Sequence, residues 1–269
     1  MALAHTYVFS ESLLMSTSLT VILPQATNAQ IGMSGTRTAA DPPVLYLLHG
    51  LSDDDTIWLR RTSIERYAAD YGIAVVMPRV ERSFYQDMAH GERYWTYVSE
   101  ELPAIVQQLF RVSSRREDTF VAGLSMGGYG AMRLGLARPD RFAAAASLSG
   151  ALDIAHPFVR DAREDFYTNA FGEADVQGTG ADLLHLLREA DPAALPALMV
   201  ACGTEDDLWP MQESFLAVAA ERGIDVTTSF GPGQHEWGYW DARIQDVLAW
   251  LPLAGADRGP GTASGTASA

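Results

Sequence analysis

The run Thr119-Phe-Val-Ala-Gly123-Leu-Ser125-Met-Gly127-Gly128-Tyr-Gly130 constrains the fold more than any other part of the chain, because it reads as a β-strand driven straight into a helix with a serine at the turn. Phe120 to Leu124 supplies the apolar strand. Glycines two positions before and after Ser125 remove the Cβ atoms that would collide where strand becomes helix, the spacing of a nucleophile elbow. Such a turn leaves its serine exposed at the carboxyl edge of a sheet, with a helix N-terminus beneath it and the Met126 N–H directed at whatever negative charge develops there. The spacing alone is a weak signal; its weight depends on what else the chain carries.

An elbow of this kind in an α/β-hydrolase requires an acid and a histidine after the serine, each at the end of a later strand. Ala197–Gly203 has the pattern of a buried strand, and the loop Thr204-Glu205-Asp206-Asp207 follows it, so one of those three carboxylates is the natural orienting acid. A further strand from Asp225 to Phe230 runs into Gly231-Pro-Gly-Gln-His235, and His235 is the only histidine downstream of the acids. Earlier in the chain, Val44–Leu48 is a continuous apolar run of the kind buried on both faces of a parallel sheet, ending at His49-Gly50-Leu51. The loop after that strand carries the second oxyanion donor in this fold, which assigns Leu51 N–H to that role beside Met126 N–H. His49, lying before the nucleophile, is read as a hydrogen-bonded structural residue.

Composition narrows the function classes. The formal net charge of −15 argues against nucleic acid as a partner and gives no help in attracting anionic substrates, so a neutral substrate is expected. All 19 basic residues are arginine; the absence of lysine excludes a Walker phosphate loop, a Schiff-base mechanism and a Ser-Lys dyad. The single cysteine, Cys202, sits within an apolar strand and is read as a packing residue, which suits a reducing compartment. With no secretory leader pattern and no apolar run of membrane-spanning length, the expectation is a cytoplasmic protein that engages no membrane.

Strands are expected at about 5–10, 18–24, 44–50, 74–79, 119–125, 142–149, 197–203 and 225–230, and helices near 57–71, 97–110, 127–137, 211–222 and 240–250. This alternation predicts an α/β-hydrolase fold: a mostly parallel central sheet with helices on both faces, its first two strands forming an antiparallel edge. One domain, 1–253, contains a small cap insertion at about 150–195, and 254–269 is expected to be a disordered tail. Trp58, Trp95 and Trp237 are the expected substrate-pocket residues, with Tyr94, Trp209 and Trp240 as further candidates for its walls and Trp240 better suited to anchoring the last helix. The cap aromatics Phe158, Phe166, Tyr167 and Phe171 are expected to pack mainly within the cap. Asp53-Asp54-Asp55 reads as a solvated loop and helix cap, and no metal site or other cofactor is expected.

Taken together, His49-Gly50-Leu51, Trp58, Gly123-Leu-Ser125-Met-Gly127-Gly128, Cys202-Gly203-Thr-Glu-Asp206 and His235-Glu-Trp237 resemble the esterase D family of α/β-hydrolases, in particular its tributyrin and acetyl esterase branch. The likeness extends over roughly residues 6 to 252. It implies that the acid is the third residue after the glycine, Asp206, and that the substrates are small-molecule esters of short acyl chains. The reading is a serine carboxylesterase with Ser125, Asp206 and His235 as its triad, working through an acyl-enzyme without a cofactor, with assembly into a homo-oligomer left open. An S-formylglutathione hydrolase-type thioesterase, a feruloyl esterase or acyltransferase, and a non-catalytic ligand-binding receptor on the same fold stay open as alternatives.

Overall fold

The computed structural model describes residues 1–27, 29, 31, 41–162 and 164–253, so the expected tail and most of the 25–41 connection lie outside the described residues. Eight strands, β1 (Ala2–Ser10), β2 (Met15–Leu23), β3 (Val44–Leu48), β4 (Ala74–Pro78), β5 (Thr119–Leu124), β6 (Ala144–Leu148), β7 (Ala197–Gly203) and β8 (Val226–Gly231), form one sheet in the order β1-β2-β4-β3-β5-β6-β7-β8. β1 and β2 make an antiparallel hairpin, β2 runs antiparallel to β4, and every other pairing is parallel.

Side-chain alternation explains why β3, β4 and β5 read as unbroken apolar runs. Leu45, Leu47, Val75, Met77, Phe120 and Ala122 enter a core on one face of the sheet; Val44, Tyr46, Leu48, Val76 and Val121 enter a core on the other. The first core is covered by α1 (Ile57–Arg61), α2 (Ile64–Tyr71) and α10 (Trp237–Trp250). The second is covered by α3 (Tyr94–Thr96), α4 (Leu102–Leu109), α5 (Met126–Ala137), α8 (Leu183–Glu189) and α9 (Trp209–Glu221).

Helix boundaries depart from expectation where a side chain competes with the backbone. The helix expected over 57–71 is two, because Thr62 turns extended and its hydroxyl donates to Trp58 O at 2.6 Å and accepts from Ile64 N at 3.1 Å. The helix expected at 97–110 begins earlier, at Tyr94, and passes through a π-helical turn at Tyr97–Glu101 before α4. Between β6 and β7 the insertion contributes α6 (Pro157–Ala162), α7 (Glu164–Phe171) and α8.

The parallel register places the site. Leu48 pairs with Gly123, Leu124 with Leu148, Leu148 with Ala201 and Gly203 with Gly231, so β3, β5, β6, β7 and β8 end nearly level along one edge. Loops that are far apart in sequence therefore start side by side.

Candidate active site

Ser125 sits at φ 54° and ψ −118° between β5 and α5, a conformation that costs on the order of 1–3 kcal/mol in a non-glycine residue and persists only where the surroundings over-determine it. Its N–H donates to Leu148 O of β6 at 2.9 Å, and its carbonyl accepts from Tyr129 N at 3.1 Å, starting the helix. The flanking glycines are required by close approach. A Cβ on Gly127 would lie 2.5 Å from Leu48 O and 2.6 Å from His49 O, and one on Gly123 would run into the Gly127 carbonyl.

His235 Nε2 lies 3.0 Å from Ser125 Oγ, and His235 Nδ1 lies 3.1 and 3.0 Å from the two carboxylate oxygens of Asp206. The three carboxylates after β7 divide their tasks. Asp206 is 4% exposed and accepts Leu208 N at 2.8 Å. Burial alone would raise its pKa, but the hydrogen bond and charge of His235, together with the Leu208 N–H and the Ser149 hydroxyl, outweigh burial and hold the carboxyl below its ordinary value. Glu205 instead accepts Gly233 N at 2.6 Å, tying down the loop that carries His235, and Asp207 is exposed at the cavity rim. The Trp240 ring stands edge-on to His235 with centroids 4.8 Å apart, and its Nε1–H donates to Ser149 Oγ at 3.1 Å.

His49 is buried and spends both ring nitrogens on the fold: Nε2 accepts from Val80 N at 3.0 Å, which leaves Nδ1–H to donate to Gly50 O at 2.7 Å. Burial lowers its pKa against the opposing influence of the Gly50 carbonyl and Asp53, Asp54 and Asp55. In a trans peptide the N–H points opposite to the C=O, so a Gly50 carbonyl held by His49, and by Asp53 N at 3.3 Å, turns the Leu51 N–H the other way. Leu51 and Met126 both line the cavity over Ser125, and among the described residues neither N–H is taken by a protein acceptor.

That cavity, about 750 Å³, is lined by Trp237 and Trp240 and by Arg82, Phe84, Phe158 and Phe166. Three expectations need correction here. Trp58 is not a pocket residue: it is 1% exposed, donates Nε1–H to Leu48 O at 3.1 Å and packs edge-on behind Trp237. Trp95 is not one either, because its ring lies under the Arg133 guanidinium at 3.9 Å, away from the cavity. The Asp53–Asp55 run is not simply solvated. No side chain of the run caps α1: Asp54 accepts Thr56 N at 2.8 Å within the preceding loop, Asp55 is buried and accepts from Ser18 and Thr20 of β2, each at 2.6 Å, and Asp53 lines the cavity with its pKa raised by burial.

Among the other wall candidates, Tyr94 is buried in the core and Trp209 packs on Phe230, whereas Trp240 both anchors α10 and faces the cavity. In the insertion, Tyr167 packs on Phe171 as expected, but Phe171 also reaches Phe84 and Tyr129 outside it, and Phe158 and Phe166 line the cavity. Arg82 and Phe84 went unread in the sequence. Glu81, Phe84 and Tyr85 all have positive φ although none is glycine, so no residue type marks that loop as special. Among the described residues no cluster of three or more His, Cys, Asp or Glu side chains is arranged to hold a metal ion, and no helix is long and apolar enough to cross a membrane.

An elbow serine, an imidazole and a buried carboxylate in this order on this sheet define an α/β-hydrolase. Residues 10–251 match the Esterase family, and the chain belongs to it, with an esterase D-like character. The acetyl esterase of Caldicellulosiruptor saccharolyticus is 30% identical to it, over 93% of this chain and 98% of that protein. Among solved structures, the substrate-bound fluorophosphonate-binding serine hydrolase F of Staphylococcus aureus aligns with a TM-score of 0.84 at 36% identity. The apoenzyme of an S-formylglutathione hydrolase from the same organism aligns with a TM-score of 0.80 at 34% identity, and both alignments cover 93% of this chain and 98% of the other. The protein is a serine esterase.

Proposed function

We propose that Ser125, His235 and Asp206 are the catalytic triad of a carboxylesterase for short-chain acyl esters. The observation that carries this is the unbroken line from Ser125 Oγ through the imidazole to the buried Asp206 carboxylate, each step about 3 Å. His235 takes the proton of Ser125 as the oxygen attacks the ester carbonyl, and Asp206 fixes the tautomer and stabilises the imidazolium. The oxyanion forms against the Leu51 and Met126 N–H groups. Collapse expels the alcohol with the proton returned by His235, leaving an acyl-serine, and a water activated by the same imidazole releases the acid.

The aromatic walls and the likeness to an acetyl esterase support a short acyl group, since each methylene that a filled pocket cannot house costs about 1–3 kcal/mol. Hydrolysis of p-nitrophenyl esters graded from two to twelve acyl carbons, run beside S-formylglutathione, tests the assignment. The expected kcat/KM peaks between two and four carbons and falls at least tenfold by eight. A peak at eight or beyond, or faster turnover of the thioester than of any simple ester, would rule out the short-chain carboxylesterase reading.

A further inference from the structure

The cavity holds a cation that the proposed chemistry does not use. Arg82 lines it, exposed, with its guanidinium over the Phe166 ring at 4.5 Å. Among the described residues Arg82 has neither a hydrogen bond nor an ion pair, and the nearest acid in sequence, Glu81, is already engaged by Arg79 at 2.7 Å. A guanidinium seated on an aromatic face keeps its N–H edge available for a carboxylate, which it can grip with two parallel bonds.

The loop that presents Arg82 is held against its own preference. Glu81, Phe84 and Tyr85 have φ of 53°, 48° and 54°, and Ser83 to Gln86 are buried. Tyr85 is fixed at three points: its N–H donates to Ser83 Oγ at 3.0 Å, its hydroxyl donates to His49 O at 3.0 Å, and its carbonyl accepts from Arg133 at 2.8 Å. Gln86 is bonded to Tyr129 OH at 2.7 Å. Left-handed backbone imposed on bulky residues, and secured from several directions, is the pattern expected where a fold places a side chain for use.

Strand order says which half of a substrate would meet it. Arg82 follows β4, on one flank of the nucleophile strand β5, whereas Asp206 and His235 follow β7 and β8 on the other. The leaving oxygen has to lie within proton reach of His235, so a group that reaches Arg82 belongs to the acyl half. Among the described residues that line the cavity, the acids are Asp53, on the oxyanion loop, and Asp207, on the β7 loop, and Arg82 is the one arginine.

We propose that Arg82 is an anion subsite that selects esters whose short acyl chain ends in a carboxylate, that is, hemiesters of small dicarboxylic acids. This rests on the esterase reading above. The formal net charge of −15 opposes such substrates at long range but is screened beyond about 8–10 Å at ordinary ionic strength, whereas the contact with Arg82 is made inside the cavity.

The test compares kcat/KM, by pH-stat, for monoethyl succinate and monoethyl glutarate with ethyl butyrate and ethyl pentanoate, and adds O-butyryl glycolate, which carries its carboxylate on the leaving group. In Arg82→Gln the hemiester-to-neutral ratio is expected to fall at least tenfold, mainly through KM, with partial recovery in Arg82→Lys. The glycolate-to-neutral ratio is expected to move less than threefold. Ratios taken within one variant cancel differences in the fraction of active enzyme. A hemiester ratio unchanged within threefold, or a glycolate ratio that shifts as much as the hemiester ratio, overturns the proposal. Wild-type turnover of ethyl butyrate, and its loss in Ser125→Ala, tests the underlying esterase reading separately.

Discussion

Gly127→Ala probes the elbow without touching any side chain assigned a chemical role. The new Cβ would stand 2.5 Å from Leu48 O and 2.6 Å from His49 O, both backbone atoms at the end of β3. Reaching a contact distance of about 3.4 Å requires the start of α5 and the His49–Leu51 loop to separate by roughly 0.9 Å, because neither partner is a flexible side-chain end. Overpacking of this kind costs about 1–3 kcal/mol, which for a chain of this size lowers Tm by about 2–12 °C. The larger effect is expected on rate. Leu51 N–H rides on the displaced loop and Met126 N–H on the displaced helix, and a misplacement of about 1 Å in a catalytic constellation costs on the order of 10²-fold. Steady-state hydrolysis of p-nitrophenyl acetate, paired with thermal unfolding followed by circular dichroism, reads both. A variant that keeps kcat within threefold of wild type would show that the two N–H groups do not act as a spaced pair, and the oxyanion assignment would be wrong.

Ser125→Ala is expected to lower kcat by on the order of 10⁴- to 10⁶-fold with the fold intact, and a fluorophosphonate probe should label wild type at Ser125 alone; retention of a tenth of the activity would defeat the nucleophile assignment. Asp206→Asn should cost about 10³- to 10⁴-fold through the wrong imidazole tautomer, while Asp207→Asn stays within several-fold; the reverse order in kcat would move the acid to Asp207. Since the Asp206 carboxyl is held below its ordinary pKa in the fold, its contribution to stability is fully present above the unfolded carboxylate pKa and is lost as pH falls through the lowered folded value. The Tm gap between wild type and Asp206→Asn should therefore narrow on acidification, and a gap that widens would contradict that sign.

How much of this was legible in the sequence differs by the kind of interaction. The inner strands were readable because a strand buried on both faces must be apolar at nearly every position, as Val44–Leu48 and Ala74–Pro78 are, whereas β1 and β8 at the sheet edges, with burial on fewer positions, were read from alternation and from the turn residues that follow them. The nucleophile region was readable because the close approach of Gly123 and Gly127 tolerates only glycine. The choice among Glu205, Asp206 and Asp207 was not open to spacing alone and came from family likeness; what separates them in space is the turn in which Asp206 N bonds Gly203 O at 3.2 Å. Trp58 misled because an indole beside the oxyanion loop looks like a wall, whereas the turn of α1 points it at Leu48 O. Asp55 misled because its partners are β2 hydroxyls 35 and 37 residues away. Arg82 and Phe84 left no signal, since their loop is shaped by left-handed bulky residues that no composition rule marks.

His235 depends on the outermost parallel strand. β8 has a neighbour on one side only and is among the least buried strands, and the histidine loop beyond it is moored by Thr204 N to Gly231 O at 2.9 Å, Glu205 N to Gly233 O at 3.1 Å and the Glu205 carboxylate on Gly233 N. Ser125, by contrast, springs from a strand flanked on both sides. The two halves of the proton relay thus belong to regions of unequal opening free energy, and fraying of the β8 margin disconnects the imidazole while the interior of the sheet stays intact. In a denaturant titration catalysis should accordingly vanish at a lower concentration than secondary structure, and amide exchange should be faster in 226–236 than in 119–124.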